Sequence, residues 1–418
     1  MVDRLQPPSL STPSNIALTQ PQTFPLTNGG NLYVFHNGSV ETLRLEFILR
    51  HAGSKSDHIM GTNLLCSKLL LAGTQSYNSK EIHESLALNG AFIDVSAGFD
   101  HTILSVYCLK NKFDKLTRLI QEIIYQQVFP HKEIELQKQI INSQLKTQLE
   151  KSAIVASRLM RKSLFSNHPY ANSLFPGDVN NISQVDLVRH FEEHFVLHDV
   201  IITGCVDDSL VKKVQDSFGA NKFILPQTGA QFVSESERKH SRLNNSVQTS
   251  IRLGKLTIEK KHNDYIPLYI TNHLLGGFFG SRLMSNIRED KGLTYGISSS
   301  IIHLQEASYL AIGCDVMAEK SDKAIEEILK ELSRLSNEKV AMNEIELLSQ
   351  QLIGSIQREL SSINAASDKF KGLYFHNMVL NYYQQLLESV KCITPDTIQG
   401  IARQYLQPES FSIITAGG

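Results

Sequence analysis

Residues 129–145, FPHKEIELQKQIINSQL, return in altered form at 340–356 as VAMNEIELLSQQLIGSI, with the shared EIEL beginning at 133 and again at 344. A helix-patterned segment that recurs after half the chain marks an internal duplication. Two further pairs keep nearly that spacing. KNKFDKLTRLIQEII (110–124) matches AEKSDKAIEEILKEL (318–332), and NISQVDLVRHFEEHFVLHDVIITG (181–204) matches ITPDTIQGIARQYLQPESFSIITAG (393–417). Each half therefore reads as a strand-rich start, a helix, strands, two or three amphipathic helices, and a closing helix and strand. The expected fold class is α+β: two tandem homologous domains, each a largely antiparallel sheet with helices packed on it. The expected boundaries are an extended arm over 1–23, a first domain over 24–218, a linker over 219–245 and a second domain over 246–418. The linker assignment rests on Gly, Ser, Asn and charge with Pro226.

The 418 residues, 41% of them hydrophobic, suffice for about two sizeable cores. Lys+Arg 41 against Asp+Glu 42 gives a net charge of −1, which provides no electrostatic footprint for nucleic acid or an anionic membrane. Cys66, Cys108, Cys205, Cys314 and Cys392 are odd in number, widely spaced and free of any C-x-x-C, so reduced and mostly buried thiols are expected. The first residues hold no apolar run of secretory length. A cytoplasmic location without a membrane span is the corresponding expectation.

In the first half, LYVFH and LRLEFILR alternate as strands. MGTNLLCSKLLLAGT then suggests a helix from Thr62 to Leu71, and a second helix should run from Ser79 to a stop at Gly90. The second half carries HLLGGFFGSRLMSNIREDKGLTYGISSS at 273–300. Gly276, Gly277 and Gly280 would let a loop lie close against an extended ligand, Ser281 could cap the next helix, and Gly292 suits the left-handed position that ends it. That helix would present Arg288, and the strand after it Tyr295. Both carry donors that can be aimed at a carbonyl oxygen.

This order of elements, with two motifs in it, resembles the insulinase or pitrilysin-like zinc peptidase family, in particular its two-domain bacterial and mitochondrial processing branch, over nearly the whole chain. The resemblance implies the metalloenzyme fold of the LuxS and processing-peptidase type. The family's inverted zinc motif reads roughly G-T-A-H-F-L-E-H-M-L-F-K-G-T, where residues 61–74 read GTNLLCSKLLLAGT. The frame survives, but Leu64 and Lys68 stand at the histidine ligand positions and Ser67 at the base. Ser143 and Gln144 stand where the family's third, carboxylate ligand falls. No metal is expected there, and no cofactor in this chain. The second motif, S-R-L-x-x-x-I-R-E-x-x-G-L-x-Y, stands intact as SRLMSNIREDKGLTY. By resemblance, Arg288 and Tyr295 inherit the roles of holding the substrate backbone and the scissile carbonyl. QTSIRLG (248–254), with Gln248 and Ser250, resembles an edge strand to which a peptide could add.

A literal His-x-x-Glu-His also occurs in VRHFEEHF, as His190, Glu193 and His194. Two histidines at i and i+4 with an intervening glutamate have zinc-motif spacing. The repeat pairs this segment with GIARQYL of the closing helix, and no acidic pair follows at the family's distance. A solvated helix face is therefore expected.

The resemblance implies a zinc-free subunit of a heterodimeric peptide-degrading or processing metallopeptidase. It would be inert alone, with zinc in a homologous partner chain and a peptide or unfolded polypeptide as substrate; self-association is the other pairing. The alternative is a non-catalytic scaffold or peptide-binding protein of the same fold. A third, an independent metalloenzyme using His190 and His194, is separable by metal analysis.

Overall fold

A computed structural model describes residues 18–39, 41–219, 232, 236–243 and 246–418. The first half builds a six-stranded sheet from β1 (Gln22–Pro25), β2 (Asn31–His36), β3 (Thr42–Leu49), β4 (Phe92–Ala97), β5 (Thr102–Leu109) and β6 (Asp199–Gly204), in the order β1-β2-β6-β3-β5-β4. The second builds a five-stranded sheet from β7 (Arg238–Arg242), β8 (Gln248–Thr257), β9 (Thr294–His303), β10 (Ser308–Met317) and β11 (Ser412–Gly417), in the order β7-β11-β8-β10-β9. The second order repeats the first from β2 onward. The pairing sense repeats too: β2 with β6 and β7 with β11 are parallel, and the other pairs in the repeated set are antiparallel. The duplication seen in EIEL thus extends to topology.

Two expectations about the connecting segments need amendment. Residues 1–17 of the expected arm, and 220–231, 233–235 and 244–245 of the expected linker, lie outside the described residues. Gln22 and Thr23, placed in the arm, belong to strand β1. Arg238–Arg242, placed in the linker, is strand β7. Its RKHSR has no alternation of apolar residues. It becomes a strand through main-chain pairing with β11, which is distant in sequence.

Each sheet has its own helices on one face. Leu43, Leu45 and Phe47 of β3 bury against Phe113, Leu116, Ile120 and Ile123 of the helix Phe113–Tyr125. Ile251 and Leu253 of β8 bury in one core with Ala324, Ile328, Leu332 and Leu335 of Ser321–Asn337. Those helices carry apolar residues at helical spacing, which forms a single buried stripe. Asn78 and Ser183 start two other helices with reciprocal capping boxes to Glu81 and Asp186.

The opposite face of each sheet is covered by the other half. The helix Ser152–Phe165 packs on β8 and β11, and Ile363–Tyr374 packs on β2 and β6. These helices begin 211 positions apart, the spacing of the two EIEL copies. They are equivalent elements, exchanged reciprocally. Their contacts use the second face of the central strands, because side chains alternate across a strand. On β8, the Ser250 and Ser152 hydroxyls lie 2.8 Å apart, Arg252 Nε donates to Ser157 Oγ at 3.3 Å, and a Cβ on Gly254 would stand 2.6 Å from Met160 Sδ. On β3, Glu46 pairs with Lys371 while Arg44 Nη1 reaches Asp368 at 3.0 Å. The Tyr374 hydroxyl donates to Asp199. Burial alone would raise the Asp199 carboxyl, but hydrogen bonds from His198, Tyr374 and the Asn31 amide hold it below the usual carboxylate range.

Glu46 is 3% exposed and, among the described residues, has only Arg44 Nε, at 3.4 Å, as a second cation. Removing one partner of a buried pair costs about 3–5 kcal/mol. Lys371→Met should therefore destabilise the chain by about 3 kcal/mol, the low end because Arg44 remains, and adding Glu46→Gln should restore most of the loss. Chemical denaturation of the three variants measures both; an equal loss in the single and the double variant would contradict the exchange contact.

Candidate functional site

The Arg/Tyr segment is built on the second sheet's edge. Its helix is a π-helix over Met284–Asp290. Here Lys291 N bonds back to Asn286 O at 3.0 Å, and Leu293 N to Ile287 O at 2.9 Å. The expected cap at Ser281 is absent: its side chain is buried with its hydroxyl unpartnered, and its carbonyl starts the turn instead. What fixes the segment is charge. Arg282 forks onto Glu344 with contacts of 2.9 and 3.1 Å, and Asn286 Nδ2 donates to Glu327 at 3.0 Å and Glu331 at 2.8 Å. Glu344 opens the second EIEL copy, so the duplicated helix holds this motif. Gly292 ends the segment at φ +58°, the left-handed conformation expected there.

Tyr295 follows on β9. Between Thr294 and Ile297, β9 carries two residues, Tyr295 and Gly296, opposite the single Asp315 of β10. Such a bulge redirects side chains and recurs beside functional sites. Tyr295 is 94% exposed. Arg288 lies with its guanidinium carbon 4.6 Å from the centroid of Phe279, which is itself exposed. Among the described residues, Arg288 makes no ion pair. Phe279 escaped sequence analysis, although its place in GGFFGS beside the motif was a signal.

The glycines and the proposed edge strand stand differently from expectation. Gly276 is buried at the end of the helix Tyr265–Gly276, where a Cβ would stand 2.7 Å from Ser299 N of β9. It is a packing contact and does not face a ligand. Gly277 adjoins His273 in the same way, a Cβ there lying 2.3 Å from His273 Nδ1, while Gly280 is exposed. Gln248 and Ser250 lie on β8, which is paired on both sides, so that strand cannot accept a peptide. Ser250 is wholly buried. The open edges of the two sheets next to the cavities are β4 and β9. Strand order depends on pairing remote in sequence, which QTSIRLG could not reveal.

The former zinc helix is Thr62–Lys68, shorter than expected because Leu69 is its cap. Leu64 is half-buried and Lys68 exposed. Ser67 is buried, its hydroxyl 3.5 Å from that of Thr102. Ser143 and Gln144 are exposed on His131–Leu149. This set contains no imidazole and no carboxylate, and the Lys68 ammonium would repel a dication. The site does not fit zinc.

The His-x-x-Glu-His segment is not a solvated face throughout. His190 is 2% exposed, with Nε2 3.4 Å from Asn63 Oδ1 of the former zinc helix. Burial, with repulsion from His194 and His58, lowers its imidazole to about 3. His58 from the loop before that helix joins Glu193 and His194, their ligand atoms all within 4.8 Å. His58 and Glu193 are 67% and 47% exposed.

Two cavities border these elements. One of about 260 Å³ is lined by Asp57, Leu64, Phe99, Arg158 and Arg161. The other, about 450 Å³, is lined by Arg161, Arg252, Gly296, Ser298 and Asp315. Arg161, on the exchanged helix Ser152–Phe165, belongs to both. The surface thus runs from the former zinc helix, past Arg161, to the residue after Tyr295.

Two family models match this chain: Insulinase (Peptidase family M16) over residues 48–177, and the Peptidase M16 inactive domain over 187–352. The chain belongs to peptidase family M16. The "Uncharacterized zinc protease YmxG" of Bacillus subtilis is 21% identical over 94% of this chain and 97% of its own length. The "Non-peptidase homolog YmxG" of Helicobacter pylori is 21% identical over 89% and 88%. The peptidase M16 inactive domain of Pseudomonas fluorescens superimposes with a TM-score of 0.87 at 22% identity, covering 96% of this chain and 98% of that one. Leu64, Ser67 and Lys68 at the former ligand and base positions, the inactive-domain match and the non-peptidase homolog support a non-catalytic M16-like protein. No described helix is long and apolar enough to cross a membrane.

Untagged protein purified without added metal should carry well below one zinc per chain by elemental analysis. One zinc per chain surviving dialysis would contradict this, and its loss in His194→Ala would place it at the outer histidine cluster.

Proposed function

We propose that this M16 chain is the zinc-free subunit of a two-chain peptidase, and that it lends substrate binding and transition-state stabilisation to a homologous zinc-bearing partner. The observation that carries the reading is the bulge at Tyr295 and Gly296, where the phenol stands 94% exposed on the strand that follows the helix of Arg288, an arginine without an ion pair among the described residues. A hydroxyl and a guanidinium without a side-chain hydrogen bond or ion pair among the described residues are suited to act on another molecule. Both sit on anchored supports: Arg282 on Glu344 for the helix, and the β10 ladder for the strand. Donors positioned before reaction stabilise a developing oxyanion without reorganisation. The partner would supply the zinc-activated water and the base. This chain would supply the Arg288 and Tyr295 donors and the groove, in which the open edges of β4 and β9 can hydrogen-bond an extended peptide.

Alone, the chain should leave a fluorogenic peptide uncut. Mixed with its zinc-bearing homologue it should raise turnover, and Arg288→Ala or Tyr295→Phe should lower that turnover by on the order of 10²–10³ at equal assembly. Full activity in both variants would remove the catalytic role and leave the scaffold alternative.

A further inference from the structure

Arg158 and Arg161 stand three residues apart on Ser152–Phe165, hence on one helical face, and both line the 260 Å³ cavity. Arg158 donates to Leu174 O at 2.8 Å and Gln148 Oε1 at 3.2 Å. Arg161 donates to Ser173 Oγ at 3.3 Å and Ser157 O at 3.5 Å, and its buried Nε has no partner. Every acceptor is neutral, and among the described residues neither guanidinium has a carboxylate within ion-pair distance. Burial lowers both from the usual arginine range, as expected of cations held without a counter-charge. The acid in the same cavity, Asp57, is occupied: it accepts from the Gly61 and Asn63 amides at 2.9 and 2.7 Å, capping the former zinc helix. Phe99, 5.5 Å from the Arg161 guanidinium carbon by its ring centroid, gives the cavity an apolar wall with Leu64, and the exposed Phe175 ring lies 5.9 Å from that of Arg158.

Buried charges are ordinarily paired. Two partly buried cations without an anion define a site in which the anion is the ligand. We propose that the Arg158–Arg161 pair is a carboxylate pocket that selects peptides by an acidic side chain or a free C-terminal carboxylate. Its planar forks match a carboxylate in bidentate fashion, and the volume suits one side chain or chain end. The position of the pocket, between the former zinc helix and the cavity that reaches Gly296, lets it anchor a peptide running along the same groove. The proposal names the substrate class of the peptide-binding reading and rests on it, but it needs no zinc partner.

The test is binding to the chain alone, by fluorescence anisotropy, of one unstructured peptide in four forms: central Glu or Gln, each with a free or amidated C-terminus. A free carboxylate should tighten binding about 10- to 100-fold over the Gln amide form, as charge-assisted hydrogen bonds do. Whether central Glu or the free terminus carries the gain tells the two sources apart. Arg161→Met and Arg158→Met should each erase most of the preference, read as the ratio of the carboxylate to the Gln amide affinity within each variant; Arg161→Lys, which keeps the charge, should retain part of it. Equal affinity for all four peptides, no binding of any, or a preference that survives in both Met variants would overturn the pocket. Failure of the partner to be activated, with the preference intact, would instead count against the trans-acting Arg288 and Tyr295.

Discussion

The structure depends on the reciprocal exchange of two equivalent helices between its halves. Each sheet buries one face on its own helices and the other on a helix delivered from across the chain, so neither half completes its layers alone. Buried polar contacts fix the exchange. Glu46 and Asp199 accept from Lys371 and Tyr374 on one side, and Ser250, Arg252 and Gly254 receive Ser152, Ser157 and Met160 on the other. A buried carboxylate without its cation is costly, so these pairs specify the docking as well as strengthen it.

That arrangement also sets the groove. Ser152–Phe165 packs on the second sheet, its Arg158 and Arg161 line the cavity that reaches the former zinc helix, and Arg161 also lines the cavity that reaches Gly296. Leu64, Ser67 and Lys68 stand where the zinc motif would place its ligands and base, while Arg282, Arg288, Gly292 and Tyr295 keep their order in SRLMSNIREDKGLTY. That segment is held by the duplicated helix itself through Arg282 and Glu344. Packing of a repeat and orientation of a site are here the same contact.

Much of this was legible in the sequence because it is local. EIEL and its partners have helical spacing, so the repeat was visible, and the strand order later obeyed it. The frame Gly61, Thr62, Gly73 and Thr74 located the former zinc helix, and Gly292 the end of the Arg/Tyr segment. What escaped depends on contacts remote in sequence. An amphipathic pattern does not say which sheet a helix covers, so the exchange was hidden. RKHSR becomes β7 only beside β11, QTSIRLG is central only because β10 and β11 flank it, and His190 is buried only because the former zinc helix lies over it. The Arg158 and Arg161 spacing was readable, in SRLMRKS, but that no acid among the described residues pairs with them was not.

The central claim is that Tyr295 faces a substrate shared with a second chain. Replacing Tyr295 by the photoreactive p-benzoylphenylalanine and irradiating the chain with a labelled peptide, with and without the zinc-bearing homologue, tests it most directly. The account predicts a cross-link to the peptide that strengthens when the partner is present and is competed by unlabelled peptide. A cross-link to neither peptide nor partner, with the assembled pair confirmed by its mass, would contradict it.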